Sequence, residues 1–184
     1  FTSGSTGEPK GIQHSTGGYL LYAKLTCKKQ FGINKNSIVL TASDAGWING
    51  HTYSLFGPLS LGSTTILLEK PIMLLKNNFL QQVIKNEKVS VLYLPVTLAK
   101  LIKSLNIKRL KSKYIKSVGS MGEPLSPSLN KWLSKKFTFK KIPVVNTYFQ
   151  TETGGIIYSP KYNQKYKNVV LGSVGKSISK EIKL

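Results

Sequence analysis

The sequence predicts an α/β protein with a mostly parallel sheet and helices on both faces. Short apolar runs rich in β-branched residues alternate with longer amphipathic stretches, which is the pattern of alternating strands and helices. The stretches between these runs are long enough for the helical crossovers that neighbouring parallel strands require. The notable polar and glycine-rich loops follow predicted strands, and ligands bind at that edge of such a sheet.

Five strands and five helices are expected. The strands are SIVLTA (37–42), TTILLE (64–69), VSVLYL (89–94), YIKSVGS (114–120) and PVVNTY (143–148), all short, apolar and β-branched. The helices are expected at 15–30, 51–61, 74–87, 96–105 and 126–136, where the stretches are amphipathic. The last helix also has start signals, with Ser126 as N-cap and Pro127 in the first turn.

The charge balance is strongly basic, yet it does not favour a nucleic-acid partner. There are 27 basic and 7 acidic residues and a formal charge of +20, which alone suggests nucleic acid or an anionic membrane surface. Only one basic residue is an arginine, Arg109, although arginine makes the best bidentate contacts with phosphate and guanine. The lysines are spread among Asn, Ile and Tyr, so we interpret them as solvent-facing.

The number of cysteines and the lengths of the apolar runs indicate where in the cell the protein is expected. Cys27 is the single cysteine, so no disulfide forms within the chain, which suits a reducing compartment. The longest apolar runs, such as SVLYLPV, are too short to span a bilayer. We therefore expect a cytoplasmic protein with no membrane span, a nuclear or organellar pool being left open.

The few acidic residues point to candidate site loops. Four of the seven, Glu8, Asp44, Glu123 and Glu152, fall in glycine-rich or aromatic-rich segments that are typical of loops. A composition so short of acid has kept carboxylates in these loops, which indicates a site there.

The segment TSGSTGEPKG has the composition of a polyphosphate-binding loop. Its glycines permit positive φ, so backbone N–H groups can converge on an anion, and the start of a helix follows. The spacing of a Walker A loop is absent. A flexible linker is the alternative, although Pro-Lys-Gly before a helix is unusual in one. The candidate phosphate-binding residues are Thr2, Ser3, Gly4, Ser5, Thr6, Gly7 and Lys10.

Four segments, in order, resemble the acyl-adenylate-forming enzymes. TSGSTGEPKG is similar to their phosphate loop. SDAGWINGHTYSLFGPLSLGSTTILLE resembles the stretch of the acetyl-CoA synthetase branch in which an Asp-x-Gly-Trp turn leads into a Gly-His helix. SVGSMGEPLSP and NTYFQTETGG resemble the adenine-site loop and the Gln-Thr-Glu-Thr-Gly-Gly segment of that branch. The resemblance covers nearly the whole chain.

This resemblance implies an acid–thiol ligase reaction in two steps. A carboxylate attacks the α-phosphate of ATP to give acyl-AMP and pyrophosphate, and the thiol of coenzyme A then attacks the acyl-AMP. The implied substrates are acetate, ATP and coenzyme A, with Mg²⁺ as the metal. Catalysis of this kind needs no protein nucleophile and works by positioning reactants and stabilising phosphate charge.

The resemblance also implies roles for single residues. Glu152 would bind Mg²⁺, whose preferred ligands are oxygens, and Thr151 would lie near the α-phosphate and the reacting carboxylate. The candidate phosphate-binding residues would hold the β- and γ-phosphates. The residues implied to contact adenine and AMP are Gly122, Glu123, Pro124, Asn146, Thr147, Tyr148, Phe149, Gln150 and Thr151.

One residue of the implied acyl pocket differs from the family pattern, and this difference affects which acid is expected as substrate. Its implied residues are Trp47, Ile48, Asn49, Met121 and Phe149. Acetate-specific relatives have Trp at the position of Phe149, so we expect acetate to be preferred and propionate to be tolerated better than in a Trp-bearing relative.

Three further polar residues receive sequence interpretations. Asn146 stands where the family has Asp, which changes little if the backbone is used there and lowers nucleotide affinity if a carboxylate is needed. His14 is interpreted as a helix-start residue. His51 is interpreted as a packing or hydrogen-bonding residue near the pocket.

The relatives implied by the resemblance are longer on both sides. We therefore expect residues 1–184 to form part of an AMP-binding (adenylation) domain, without its upstream part and without the small C-terminal mobile domain, and to be inactive in isolation. A propionyl-CoA or other short-chain acyl-CoA synthetase is the nearest alternative. A non-catalytic, basic nucleotide- or nucleic-acid-binding protein is the alternative of another class.

Overall fold

A five-stranded parallel sheet forms the centre of the molecule in the computed structural model, which describes residues 1–2, 7–76, 78–108 and 110–179. The strands are β1 (Ile38–Thr41), β2 (Thr64–Ile66), β3 (Val91–Pro95), β4 (Ser117–Met121) and β5 (Val144–Asn146). Their order across the sheet is β2-β1-β3-β4-β5, and every neighbouring pair is parallel. The predicted α/β class and its five strands are confirmed.

Helices connect the strands and also precede the first one. They are α1 (Thr16–Thr26), α2 (Gly57–Leu59), α3 (Phe79–Asn86), α4 (Val96–Ser104) and α5 (Pro127–Lys136). The predicted N-cap of α5 is present, because the Ser126 hydroxyl accepts a hydrogen bond from the Leu129 amide at 3.3 Å. Short 3₁₀ turns lie at Pro71–Leu75, Thr151–Thr153 and Tyr166–Asn168. No helix among the described residues is long and apolar enough to cross a membrane.

Two segments expected to be α-helical have a wider turn. α1 continues into the π-helical turn Cys27–Phe31, and the helix expected at 51–61 begins with the π-helical segment Gly50–Phe56. π-helical turns are rare and frequently lie at functional sites. In this fold both segments face the same side of the sheet, where they bring Tyr53 and Phe31 into one core.

The helix expected at 74–87 begins later, at Phe79. Lys76 has extended dihedral angles and Asn78 has a left-handed φ of 61°, so the backbone does not pass helically from the 3₁₀ turn at Pro71–Leu75 into α3.

Alternate residues of the strands enter two separate cores, one on each face of the sheet. The first core contains side chains of α3, α4 and α5 together with Leu40, Leu92, Leu94, Val118 and Val144. The second core contains Cys27, Phe31 and Tyr53 together with Val39, Val91, Tyr93, Met121 and Val145. This period-two division shows that both faces of the parallel sheet are covered, as predicted.

The parallel arrangement places the loops after the strands at one edge of the sheet. Residues 42–49 follow β1, residues 122–126 follow β4 and residues 147–150 follow β5. These loops hold the candidate site residues at 47–49, 122–124 and 147–150. The prediction that they share one edge is confirmed.

Candidate functional site

The ends of β4 and β5 bring the two implied adenine segments together. Ser120 of β4 lies opposite Asn146 of β5 in the parallel register. Gly122, Glu123 and Pro124 continue from β4, and 147–150 continue from β5, so both segments leave the sheet side by side. Gly122 has a φ of +89°, a conformation that favours glycine and starts the turn toward Pro124.

Thr147 and Asn146 use their side chains within the protein. The Thr147 hydroxyl donates to the Ser120 carbonyl at 3.0 Å and accepts from the Tyr93 hydroxyl. The Asn146 amide nitrogen donates to the Gly172 carbonyl at 3.1 Å. Burial raises the pKa of Tyr93 well above its usual range, which keeps this phenol protonated as the donor.

Tyr148 and Glu123 are both exposed beside these strands. The Tyr148 ring is 42% exposed, while its amide is held by the Tyr158 carbonyl at 2.9 Å. The Glu123 carboxylate lies 3.1 Å from the Lys100 ammonium. Water screens an exposed pair of this kind, so it contributes little stability and leaves the carboxylate near the loop surface.

The segment 150–155 forms a compact turn that presents Glu152 to solvent. The Gln150 amide donates to the Thr153 hydroxyl at 3.0 Å, and Gly154 closes the 3₁₀ turn with a φ of +68°. Glu152 is exposed, and no basic side chain in the described part of the chain lies within ion-pair distance of it. Its carboxylate oxygens are therefore available to a hard cation.

Mg²⁺ fits this position only if further ligands bind it together with Glu152. No group of three or more His, Cys, Asp or Glu side chains that could hold a metal occurs within residues 1–2, 7–76, 78–108 and 110–179. Mg²⁺ is commonly bound by one or two carboxylates together with substrate phosphates and water. Glu152 matches that kind of site, with the phosphates supplying the remaining oxygens.

Four side chains hold the backbone that follows Gln150. His14 Nε2 lies 2.7 Å from the Thr151 carbonyl oxygen. The Thr52 hydroxyl donates to the Gly154 carbonyl at 3.0 Å, and the Tyr22 hydroxyl donates to the Ile156 carbonyl at 2.8 Å. The Tyr53 hydroxyl accepts from the Ile156 amide at 2.7 Å. Sequence interpretation missed this set because no local motif marks it.

The base of the candidate phosphate loop is a short antiparallel bridge. The Thr2 amide donates to the Lys10 carbonyl at 2.9 Å, and the Lys10 amide donates to the Thr2 carbonyl at 3.0 Å. Gly7 has a φ of +86°, and Lys10 is exposed. Ser3, Gly4, Ser5 and Thr6 lie outside the described residues.

A cavity of about 310 Å³ connects the start of the chain with the segment around Glu152. Its wall is formed by residues from both sides of the candidate site: Phe1, Ile12, His14, Tyr19, Gly46, Ile48, His51, Phe56 and Thr151. Phe1 and Ile12, which flank the candidate phosphate loop, thus share one crevice with Thr151. His51 is exposed there, 6.4 Å from the Phe56 ring.

The implied acyl-pocket residues fall into separate surroundings. Met121 is buried in the second core, and Phe149 packs against that core with its ring 5.5 Å from Tyr53 in a T-shaped arrangement. Ile48 lines the cavity, whereas Trp47 is 63% exposed. Asn49 is buried, and its amide nitrogen and oxygen find no hydrogen-bond partner in the described structure.

Comparison with known proteins decides the family. A family model described as AMP-binding enzyme matches residues 1–184, which is the entire chain. The chain belongs to the AMP-binding enzyme family. In open α/β sheets of this kind, ligands bind outside the carboxyl ends of the strands.

Two similar curated proteins are acetyl-coenzyme A synthetases. The chain is 41% identical over 167 residues to an acetyl-coenzyme A synthetase of Herminiimonas arsenicoxydans. It is 40% identical over 163 residues to the protein of the same name from Aeromonas hydrophila subsp. hydrophila. Each match covers 87% of this chain and 25% of the relative, so the chain matches about a quarter of their length.

A solved structure supports the fold of this AMP-binding enzyme chain. The anthranilate CoA ligase AuaEII, crystallised in complex with anthranoyl-AMP, superimposes with a TM-score of 0.77 over 96% of this chain and 33% of that one. The two sequences are 22% identical, so this likeness concerns the fold alone.

Proposed function

We propose that this chain forms the nucleotide-binding part of an ATP-dependent acetate–CoA ligase. The reaction joins acetate and ATP into acetyl-AMP and pyrophosphate, and coenzyme A then takes the acetyl group and releases AMP. The acetyl-coenzyme A synthetases that are about 40% identical to this chain support the choice of reaction. These comparisons give no support to a non-catalytic, basic binding protein.

The contact between His14 and the Thr151 carbonyl carries the proposal. At 2.7 Å it joins the segment that leaves the phosphate loop to the segment that presents Glu152. Phe1 and Thr151 also line one cavity. A phosphate loop and a metal-binding carboxylate must lie this close to serve a single magnesium-bound nucleotide.

The phosphate-binding role belongs to the loop between Thr2 and Lys10. Its backbone N–H groups and hydroxyls, with the Lys10 ammonium, would hold the departing pyrophosphate. Glu152 would bind Mg²⁺, which when bound neutralises the charge of the phosphate oxygens. Thr151, in contact with the cavity, would lie beside the α-phosphate and the incoming carboxylate.

The adenine-binding role belongs to the loops after β4 and β5. The turn at 122–124 would border the base, and the exposed Tyr148 ring would offer an aromatic face to it. The Thr147 and Asn146 side chains donate to protein carbonyls. We therefore assign their part in nucleotide binding to the backbone.

The identity of the acid depends on Phe149. Its ring packs against Tyr53 in a T-shaped arrangement, and the acetate-specific enzymes that this chain resembles have a Trp at this position. We propose acetate as the preferred acid and propionate as a tolerated one. One methylene changes selectivity by about 1–3 kcal/mol in such pockets.

The test is carboxylate-dependent exchange between ATP and pyrophosphate, followed by coenzyme A thioester formation, in the full-length protein that contains this chain. We expect exchange with acetate, weaker exchange with propionate, and thioester formation from both. Absence of exchange with every short acid would overturn the proposal. Salt-sensitive nucleic-acid binding without any dependence on Mg-ATP would favour the basic binding protein instead.

A further inference from the structure

We infer that His14, Tyr22, Thr52 and Tyr53 are positioning residues that fix the segment carrying Thr151 and Glu152. None of them needs to touch a substrate for this role. The inference rests on the proposed function for what the segment does, whereas the anchoring itself rests on contacts within the protein. We call these four residues the loop anchor.

The loop anchor binds backbone groups on both sides of the Gly154–Gly155 pair. His14 reaches the Thr151 carbonyl at 2.7 Å, and Thr52 reaches the Gly154 carbonyl at 3.0 Å. Tyr22 and Tyr53 bind the carbonyl and the amide of Ile156 at 2.8 and 2.7 Å. Because the first and last residues of the segment are both held, its path is determined over six residues.

The direction of each hydrogen bond follows from the groups involved. A carbonyl oxygen only accepts, so His14 Nε2 must carry the hydrogen that it shares with Thr151. The Thr52 hydroxyl donates its only hydrogen to the Gly154 carbonyl. The Tyr19 hydroxyl must therefore be the donor in its 2.6 Å hydrogen bond with Thr52 Oγ1. Tyr19, Thr52 and Gly154 thus form a continuous donor chain, in which each bond strengthens the next.

Tyr53 is held in the same directional way. Thr26 donates its single hydroxyl hydrogen to the Tyr22 carbonyl at 2.9 Å, so the 3.0 Å contact between Thr26 and Tyr53 uses the Tyr53 hydrogen. The Tyr53 oxygen is then free to accept from Ile156. Burial raises the pKa of Tyr53 well above its usual range, which keeps the phenol neutral in this position.

The two glycines of the segment permit the close approach of the loop anchor. A Cβ at Gly155 would lie 2.8 Å from the Tyr22 ring and 3.1 Å from the Tyr53 hydroxyl oxygen. A Cβ at Gly154 would lie 3.1 Å from the Tyr19 ring and 3.2 Å from the His14 ring, at a φ of +68°. A side chain at either position would push the anchoring groups away.

His14 has a particular position in the loop anchor because it lies between two parts of the site. It follows the phosphate loop by four residues, counted from Lys10, and its bonded carbonyl belongs to the residue before Glu152. Its ring stacks on Tyr19 at 5.5 Å with an interplanar angle of 24°. We therefore infer that His14 sets the distance between the phosphate loop and the Glu152 carboxylate.

The test compares three variants of the full-length protein. His14→Phe removes the donor, His14→Gln offers an amide donor at a similar reach, and Tyr22→Phe removes only a hydroxyl. Ser63→Ala is the matched control, because the buried Ser63 hydroxyl donates to the Pro58 carbonyl at 2.8 Å at the start of β2. It deletes the same kind of bond away from the anchored segment.

Two quantities are measured: the turnover number of acetate-dependent exchange, and amide hydrogen exchange over residues 150–157. We expect His14→Phe to lower turnover by about 100-fold, the cost of a misplacement near 1 Å, with a KM for ATP that stays close to that of Ser63→Ala. His14→Gln should recover most of the turnover. His14→Phe and Tyr22→Phe should both speed amide exchange over 150–157, and Ser63→Ala should not.

The inference is overturned if His14→Phe matches Ser63→Ala in both measurements, or if His14→Gln is no better than His14→Phe. A wild-type protein without exchange activity would refute the proposed function and leave the loop anchor testable. In that case faster amide exchange over 150–157 in Tyr22→Phe, whose shape is unchanged, would support the anchor. An unchanged rate of amide hydrogen exchange over 150–157 in Tyr22→Phe would overturn the inference of a loop anchor.

Discussion

The Asn146 side-chain amide donates to the Gly172 carbonyl across 3.1 Å, at the point where β5 ends. Asn146 is 3% exposed, so water does not compete for this bond. A carboxylate has no hydrogen to donate to a carbonyl. The difference between Asn146 and the Asp of the resembling enzymes therefore concerns how the 169–173 segment is attached to the sheet.

We expect Asn146→Asp to lower stability without improving ATP binding. The substitution removes a donor and places a charged oxygen against a carbonyl oxygen in a buried site, which costs about 1–3 kcal/mol or more. The measurements are the heat-unfolding midpoint and the KM for ATP of the full-length protein. Asn146→Ala serves as the control that removes the donor without adding charge.

The same variant has an expected pH dependence. Burial and the facing carbonyl favour the protonated carboxyl, so the pKa of the carboxyl introduced by Asn146→Asp is raised in the folded state. A raised folded pKa gives stability that is present at low pH and is lost as pH rises through that pKa. Equal unfolding midpoints of Asn146→Asp and wild type at neutral pH, or a lower KM for ATP, would contradict this account of Asn146.

Glu152→Gln should abolish most Mg²⁺-dependent adenylation. The variant keeps the shape of an exposed side chain and removes the charge that would bind the cation. We expect acetate-dependent exchange to fall by about 100- to 1,000-fold, the range for removing one group that stabilises reacting charge. The assay varies Mg²⁺ at fixed ATP and acetate in the full-length protein.

Glu87→Gln is the matched control for Glu152→Gln. Glu87 is also exposed, but it follows α3 at the amino edge of the sheet, away from the candidate site. Its exchange activity should equal that of wild type. Similar activities of the Glu152 and Glu87 variants at every Mg²⁺ concentration would remove Glu152 from the metal site.

Phe149→Trp should sharpen the preference for acetate. The larger ring would extend from the same position beside Tyr53 and occupy space that a propionyl methyl group needs. The ratio of kcat/KM for acetate to kcat/KM for propionate should rise by about 10-fold or more, since a methylene in a tight pocket is worth about 1–3 kcal/mol.

Phe139→Trp is the control for Phe149→Trp, because it makes the same change of side chain at a different place. Phe139 is 69% exposed and lies in a turn after α5. The control variant should leave the ratio unchanged. If Phe149→Trp also leaves the ratio unchanged, Phe149 does not border the acyl group.

The sheet and the edge that carries the loops after its strands could be predicted because their signals are local. Runs such as VLYLP (91–95) are apolar on both faces, as a strand covered on two sides must be. Helix-length connections then require parallel strands, and parallel strands place every following loop at one edge. The α5 N-cap, Ser126, is equally local and was also predicted correctly.

The loop anchor could not be predicted because its contacts are long-range in sequence. His14 and Thr151 are 137 residues apart, and Tyr22 and Ile156 are 134 apart. Each hydrogen bond joins a side chain to a backbone group. The sequence therefore contains no complementary pair of side chains that would indicate the contact. The sequence predicts only that His14 starts a helix, and the structure gives it a partner in the Gln-Thr-Glu-Thr-Gly-Gly segment.

The buried phenols of Tyr53 and Tyr93 predict a loss of stability in alkali. Burial raises the folded-state pKa of both above the ordinary value of 10.0. A raised folded pKa means that the folded state holds these protons more tightly, so their contribution is complete below pH 10.0 and falls as pH rises above it. Each such tyrosine costs about 1.4 kcal/mol per pH unit in that window.

Tyr53→Phe should therefore flatten the alkaline decline while it weakens the fold at neutral pH. The neutral-pH cost arises because the Ile156 amide loses its acceptor and Thr26 loses its donor. The measurement is the slope of the heat-unfolding midpoint against pH above 10.0 in the full-length protein. Tyr114→Phe, in a half-buried residue outside both cores, is the control for the loss of a tyrosine hydroxyl. An identical slope in Tyr53→Phe and wild type would contradict the raised folded-state pKa of Tyr53, because it would show that folding does not change how tightly this phenol holds its proton.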